Sequence, residues 1–140
     1  MRLIVVLLCV FFSISAFAKD DIIYLPIQPA LEEAKRLGHI DGSIAFEFGS
    51  KSGKNDNVFL KDLITNKKSR KLGRSAEDAC KQAFFSALIQ FQTRAKSEGG
   101  KKVVNLTGYF KKIPYNSTKN FQCGVGGLMS GVTLRGDIAK

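Results

Sequence analysis

From residue 19 onward the apolar positions recur with two different periods, and the changes of period mark the elements. Residues 19–29 read as an extended lead-in, since Pro26 and Pro29 disfavour helix before them. A short helix is predicted from Pro29. Glu32 and Glu33 fall in its first turn, Lys35 and Arg36 in its last, Gly38 caps it, and Ala30, Leu31, Ala34 and Leu37 form its apolar stripe. Ile44, Phe46 and Phe48 then alternate with Ser43, Ala45 and Glu47 between two glycines, the pattern of a half-buried strand. A polar loop over 50–57 leads to a second strand, VFLKDLIT, and residues 66–75 read as a basic connection.

The longest element is a helix from Ser75 to about Glu98. Ser75 and Asp78 have the spacing of a capping box, and Cys80, Phe84, Ala87, Leu88, Phe91 and Ala95 recur at three and four to make one apolar face. Phe85 and Ile89 lie off that stripe and either pack against the first helix or form a contact surface; core packing is the favoured of the two. Gly99 and Gly100 end the helix. A third strand follows over KKVVNLTGYFKK, with Val104, Leu106, Gly108 and Phe110 on one face. A turn-rich connection over 113–120 leads to alternating Phe121, Cys123 and Val125. Residues 126–131 suit a bend or bulge, and Val132 and Leu134 form a last short strand. The predicted architecture is α+β: a small antiparallel sheet packed by one long helix plus a short N-terminal helix, in a single domain over residues 19–140.

The N-terminus changes the picture from fold to compartment. Arg2, the apolar run Leu3–Phe12 and the Ala16-Phe17-Ala18 end match a secretory signal peptide over residues 1–18, and the run is short for a membrane span. Bulky Leu8 before Cys9 argues against lipidation, so a periplasmic location is expected. Cleavage would leave two cysteines, Cys80 and Cys123. An even count in an oxidising compartment predicts one disulfide between them, a bridge contributing about 4 kcal/mol in the chain-entropy model.

The chain of 140 residues carries a formal charge of +10, which favours anionic partners. For an exported protein these are phospholipid, lipopolysaccharide or an envelope protein, and nucleic acid is not expected. The positive charge concentrates between residues 51 and 74. Lys61, Lys67, Lys68, Arg70, Lys71 and Arg74 are the candidate anionic-surface residues, with Lys51 and Lys54 before them and Asp56 and Asp62 against them. The run is either a binding patch or a solvated face. Lys101, Lys102, Lys111 and Lys112 flank the third strand and either extend the patch or guard its ends.

Candidate chemistry is sparse. The glycine-rich stretch NFQCGVGGLMSGVTLRG begins a dinucleotide fingerprint with Gly124 and Gly126 but has Met129 at the third glycine position, and strand rather than helix follows. Neither Gly53-Lys54 nor Gly100-Lys101 completes a phosphate loop. The glycines instead suit a twisted, bulged strand lying close under the helix. His39 and Asp41 would supply two metal ligands where zinc takes three or four, and as a catalytic pair they lack a nucleophile. No cofactor, metal or catalytic residue is therefore assigned.

The segments CKQAFFSAL, GGKKVVNLTGYFKK and FQCGVGGLMSGVTLRGD, with DGSIAFEFG and LITNKK, resemble a group of small exported proteobacterial proteins of unknown function, often automatically labelled as an excinuclease ATPase subunit. The chain has no phosphate loop to match that label. A helix, Gly-x-x-Val-Val strand and cysteine-bearing strand is also distantly similar to the Rcs envelope-stress sensor lipoprotein, a resemblance that implies an α+β domain in the envelope. The lipid-attachment cysteine and second disulfide of that pattern are absent. The expectation is a non-enzymatic periplasmic protein, an envelope binding or stress-related module with a basic face. The alternatives are an envelope hydrolase using His39 and Asp41, and a secreted basic effector.

Overall fold

A computed structural model describes residues 21–140. The expected leader over residues 1–18, Cys9 included, lies outside the described residues. The elements run β1 (Asp21–Pro26), α1 (Ile27–Arg36), β2 (Ala45–Phe48), β3 (Val58–Arg70), α2 (Ala76–Ser97), β4 (Lys102–Gly108), a 3-10 turn (Phe110–Lys112), β5 (Asn120–Val125) and β6 (Met129–Ala139).

The longest apolar helix needs the broadest apolar surface, and β6 organises that surface. One edge of β6 pairs antiparallel with β3 from Met129 to Ala139. Its other edge is shared end to end. Ser130 and Gly131 pair with β5, and Leu134 to Ala139 pair with β4. β1 extends the sheet beyond β5, and β2 extends it beyond β4. The curled sheet therefore forks into two wings. The β2–β4 pair is parallel, so the sheet is mixed rather than wholly antiparallel; the crossover between them carries β3 and α2, long enough for a parallel return.

The side chain of Ser75 caps α2 by accepting the Asp78 amide at 3.1 Å. The predicted stripe is buried throughout, and Ala79, Ala83 and Phe85 are buried with it. They pack on Val103, Leu106, Phe121, Cys123, Val132, Leu134 and Ile138 from the sheet. Phe84 stacks on Phe121 with ring centroids 4.0 Å apart. Cys80 and Cys123 meet in this layer as a disulfide, Cα atoms 5.9 Å apart. Phe85 joins the core beneath His39 (ring centroids 5.1 Å apart), whereas Ile89 turns outward at 37% exposure.

Four local readings change. α1 starts at Ile27 behind Pro26, so Pro29 occupies its third position and Glu32 and Glu33 fall beyond its first turn; Leu37 is exposed. Proline is tolerated there because first-turn amides have no helical acceptor. β3 runs on to Arg70, so half of the supposed basic connection is strand. The last strand is likewise long, Met129–Ala139, because it is the spine of the sheet rather than an edge. In β4 the core face changes at Asn105, which adopts φ +55°. The register slips by one residue between Val104 and Thr107, so Val103 and Leu106, not Val104 and Leu106, reach the helix. A β-carbon on Gly136 opposite this bulge would lie 2.7 Å from Leu106 Cδ2, so only glycine admits that side chain.

Asp62 in β3 makes a second bulge, at φ +57°. Asp137 ties the two together. Its carboxylate accepts the Asp62 amide and the Asn105 side-chain amide, each at 2.8 Å, while Asn105 Oδ1 accepts the Gly53 amide at 2.7 Å.

Candidate anionic-surface site

β3 carries most of the candidate cations, and its pleat decides where they point. Beyond the Asp62 bulge, Leu63, Thr65, Lys67 and Ser69 alternate with Ile64, Asn66, Lys68 and Arg70. Leu63 packs against the core and Thr65 is buried, so the first set takes the helix side and the second the outer face of the sheet. Lys67 and Lys68, adjacent in sequence, therefore leave the strand on opposite faces. Lys61 lies before the bulge, about 20 Å along the strand from Lys68. It borders a polar cleft with Asp56, Asn105 and Asp137. Carboxylates oppose its charge there, and it does not join the others.

The cations that do gather sit at one end of the β3–β6 pair. Lys68 and Arg70 stand opposite Gly131 and Met129 on β6. The chain then turns through Lys71-Leu72-Gly73-Arg74, closed by the Arg74 amide donating to the Lys71 carbonyl at 2.9 Å. Gly73 holds φ +72°, the conformation that third position of the turn requires. The Lys71 ammonium donates to the Gly126 carbonyl, and the Arg74 guanidinium to Ser69 Oγ, both at 3.1 Å. Lys71 and Arg74 are thus held near the turn rather than spread into solvent. The Lys71 amide also donates to Leu128 O at 2.9 Å, which joins this turn to the β5–β6 turn.

The glycine-rich stretch forms the other half of this end. Its turn, Gly126-Gly127-Leu128, closes with the Gly126 amide donating to Met129 O at 2.8 Å. On the outer face a cross-strand row runs Lys68, Gly131, Gly124 and Ile22. The Phe110 ring lies directly on Gly124: a β-carbon there would be 2.2 Å from the ring. The result is a trough of about 440 Å³ floored by glycine and walled by Phe110, Leu128, Met129 and the Lys68 stem. Gly124 and Gly131 thus make room on the outer face, for Phe110 and the trough, rather than for the helix.

The remaining candidates divide between this end and other parts of the surface. Lys102 pairs with Asp56 at 3.0 Å. That contact, with Glu47 nearby, holds its ammonium above the ordinary lysine range. Lys111 stands 5.5 Å from the Phe110 ring centroid, beside the trough. The Asp41 carboxylate accepts from the Lys96 ammonium and from both the amide and hydroxyl of Ser43; these contacts hold its pKa well below the usual carboxylate range. The His39 ring is stacked on Phe85. The pair acts as a tie between the α1–β2 loop and α2. Among the described residues, no group of three His, Cys, Asp or Glu side chains is arranged to hold a metal ion.

Sequence reasoning does not mark Leu72, Phe110, Leu128 or Met129 as site residues. The available signal is an apolar side chain inside a turn of otherwise polar or glycine composition, in Lys71-Leu72-Gly73 and Gly127-Leu128-Met129. No protein family matches the chain, and neither the curated proteins nor the solved structures contain a match.

Proposed function

We propose that this is an exported, non-enzymatic envelope protein that binds anionic surfaces through its basic end. The observation that supports the reading is the gathering at one pole of Lys68 and Arg70, at the end of β3, with Lys71 and Arg74 on the hydrogen-bonded turn that follows. The carboxylates that follow in sequence, Glu77 and Asp78, belong to the first turn of α2, in the helix layer. A buried disulfide is compatible with the oxidising compartment that the N-terminal pattern implies.

The test is co-sedimentation with vesicles containing phosphatidylglycerol, against phosphatidylcholine vesicles, at low and high salt. Each charge brought to an anionic surface contributes about 1 kcal/mol, and less as salt shortens the screening length. Replacing Lys68, Arg70, Lys71 and Arg74 by Gln should weaken low-salt binding by about a thousandfold. Replacing Lys61, which lies away from that pole, should change it little. Equal binding of the four-site variant and the parent protein would remove the basic end from the reading.

A further inference from the structure

Two leucines at this pole have no role in the fold. Leu72 occupies the second position of its turn and is 91% exposed; Leu128 is at the tip of the neighbouring turn and is 85% exposed. Met129 beside them is 40% exposed. Single exposed apolar residues are ordinary. The two turns are joined by a backbone hydrogen bond and stand among Lys68, Arg70, Lys71 and Arg74, and Leu128 and Met129 border an apolar trough. An apolar tip inside a basic ring complements one kind of surface, an anionic headgroup layer over an acyl interior.

We infer that the protein docks pole-first on an anionic phospholipid bilayer, with Leu72 and Leu128 inserted into the acyl boundary and the basic side chains at the headgroups. The inference rests on the anionic-surface reading above and deepens it. The geometry suits insertion because each leucine sits on a tight turn closed by a backbone hydrogen bond, and the Lys71 amide joins the two turns through Leu128 O, so the two tips are presented together. Lys71 and Arg74 are already drawn back to Gly126 O and Ser69 Oγ, which sets their charges behind the leucine tips rather than ahead of them. The trough beside Leu128, walled by Phe110 and Met129, gives the headgroup region a second apolar face.

The chain contains no tryptophan, so Leu128→Trp supplies a single fluorescent reporter at the tip. With the otherwise intact protein and phosphatidylglycerol vesicles, its emission should shift to the blue and be quenched by acyl-chain bromolipid. Phosphatidylcholine vesicles should leave it water-like. The double variant Leu72→Ser/Leu128→Ser, at positions the fold does not bury, should keep its urea midpoint and lose about tenfold in vesicle affinity per leucine. Most of the binding that persists at high salt should disappear with it. A water-like emission from the Leu128→Trp variant, on protein that still sediments with the vesicles, would overturn insertion and leave the basic-end reading intact. Failure of the parent protein to bind either phosphatidylglycerol vesicles or lipopolysaccharide micelles at low salt would overturn both. Binding to lipopolysaccharide micelles without binding to the vesicles would overturn the bilayer as partner while keeping an anionic surface.

Discussion

Removing the Cys80–Cys123 bridge should be the most damaging single covalent change to this domain. The two positions are 43 residues apart in sequence, and both side chains are fully buried between α2 and β5. In the chain-entropy model, closing a loop of that length lowers the unfolded-state entropy by an amount equivalent to about 4 kcal/mol at 25 °C. Domains of this size have about 5–15 kcal/mol in all, so a marginal protein would lose most of its stability. The measurement is urea denaturation of the native protein, with and without reductant, and of Cys80→Ala/Cys123→Ala. The expected result is a midpoint lowered by about 4 kcal/mol divided by the urea slope, with thermal unfolding about 15 °C earlier. The double variant should be at least as affected as the reduced protein, because it also vacates buried sulfur volume. Coincident curves for oxidised and reduced protein would refute the reasoning, since they would mean the unfolded chain gains nothing from opening this loop.

Two further substitutions test the local devices. Gly124→Ala places a methyl where the Phe110 ring lies and should cost about 1–3 kcal/mol by urea unfolding, as overpacking does; an unchanged midpoint would mean the ring does not rest there. Asp137→Ala unpairs the Asp62 amide and the Asn105 side chain together, and should cost about 2 kcal/mol and speed hydrogen exchange at Asp62, while Asp137→Asn, which keeps one acceptor, should recover part of it.

How far the residues announce this arrangement differs element by element. α2 is legible because its signals agree: a side-chain cap, a continuous stripe and a glycine stop all describe one helix. The disulfide is legible because each cysteine lies on the apolar face of its own element. The bulges are not. Val103 and Val104 are both apolar and both buried, so alternation alone cannot choose between them, and Asn105 is the residue that flips the face. Asparagine tolerates the left-handed region, but it does so in many settings where none is required. β3 beyond Thr65 reads as loop because Lys67, Lys68 and Arg70 are poor strand formers; at a sheet edge such residues are common and discourage pairing with other chains. The basic run reads as one patch because sequence adjacency hides the pleat, which separates Lys67 from Lys68 and leaves Lys61 with Asp56 and Asp137.

The same geometry says where loss of the disulfide acts first. The β1–β5 wing pairs along six positions within itself but joins β6 only through Gly124 and Val125. It is also held to the body by the cystine, by the stacking of Phe121 on Phe84 and by the Phe110 ring over Gly124. Cys123 lies three residues before Gly126, where the apolar tip begins, and Lys71 reaches that tip by donating to Gly126 O. A reduced but still folded protein should therefore exchange amides fastest in β1 and β5, with β3 and the centre of β6 protected. The cost of reduction is concentrated in the wing that positions Leu128. The intact bridge then does more than stabilise the fold: it holds the wing that carries one of the two turns of the basic pole, which the proposed joint insertion of Leu72 and Leu128 requires.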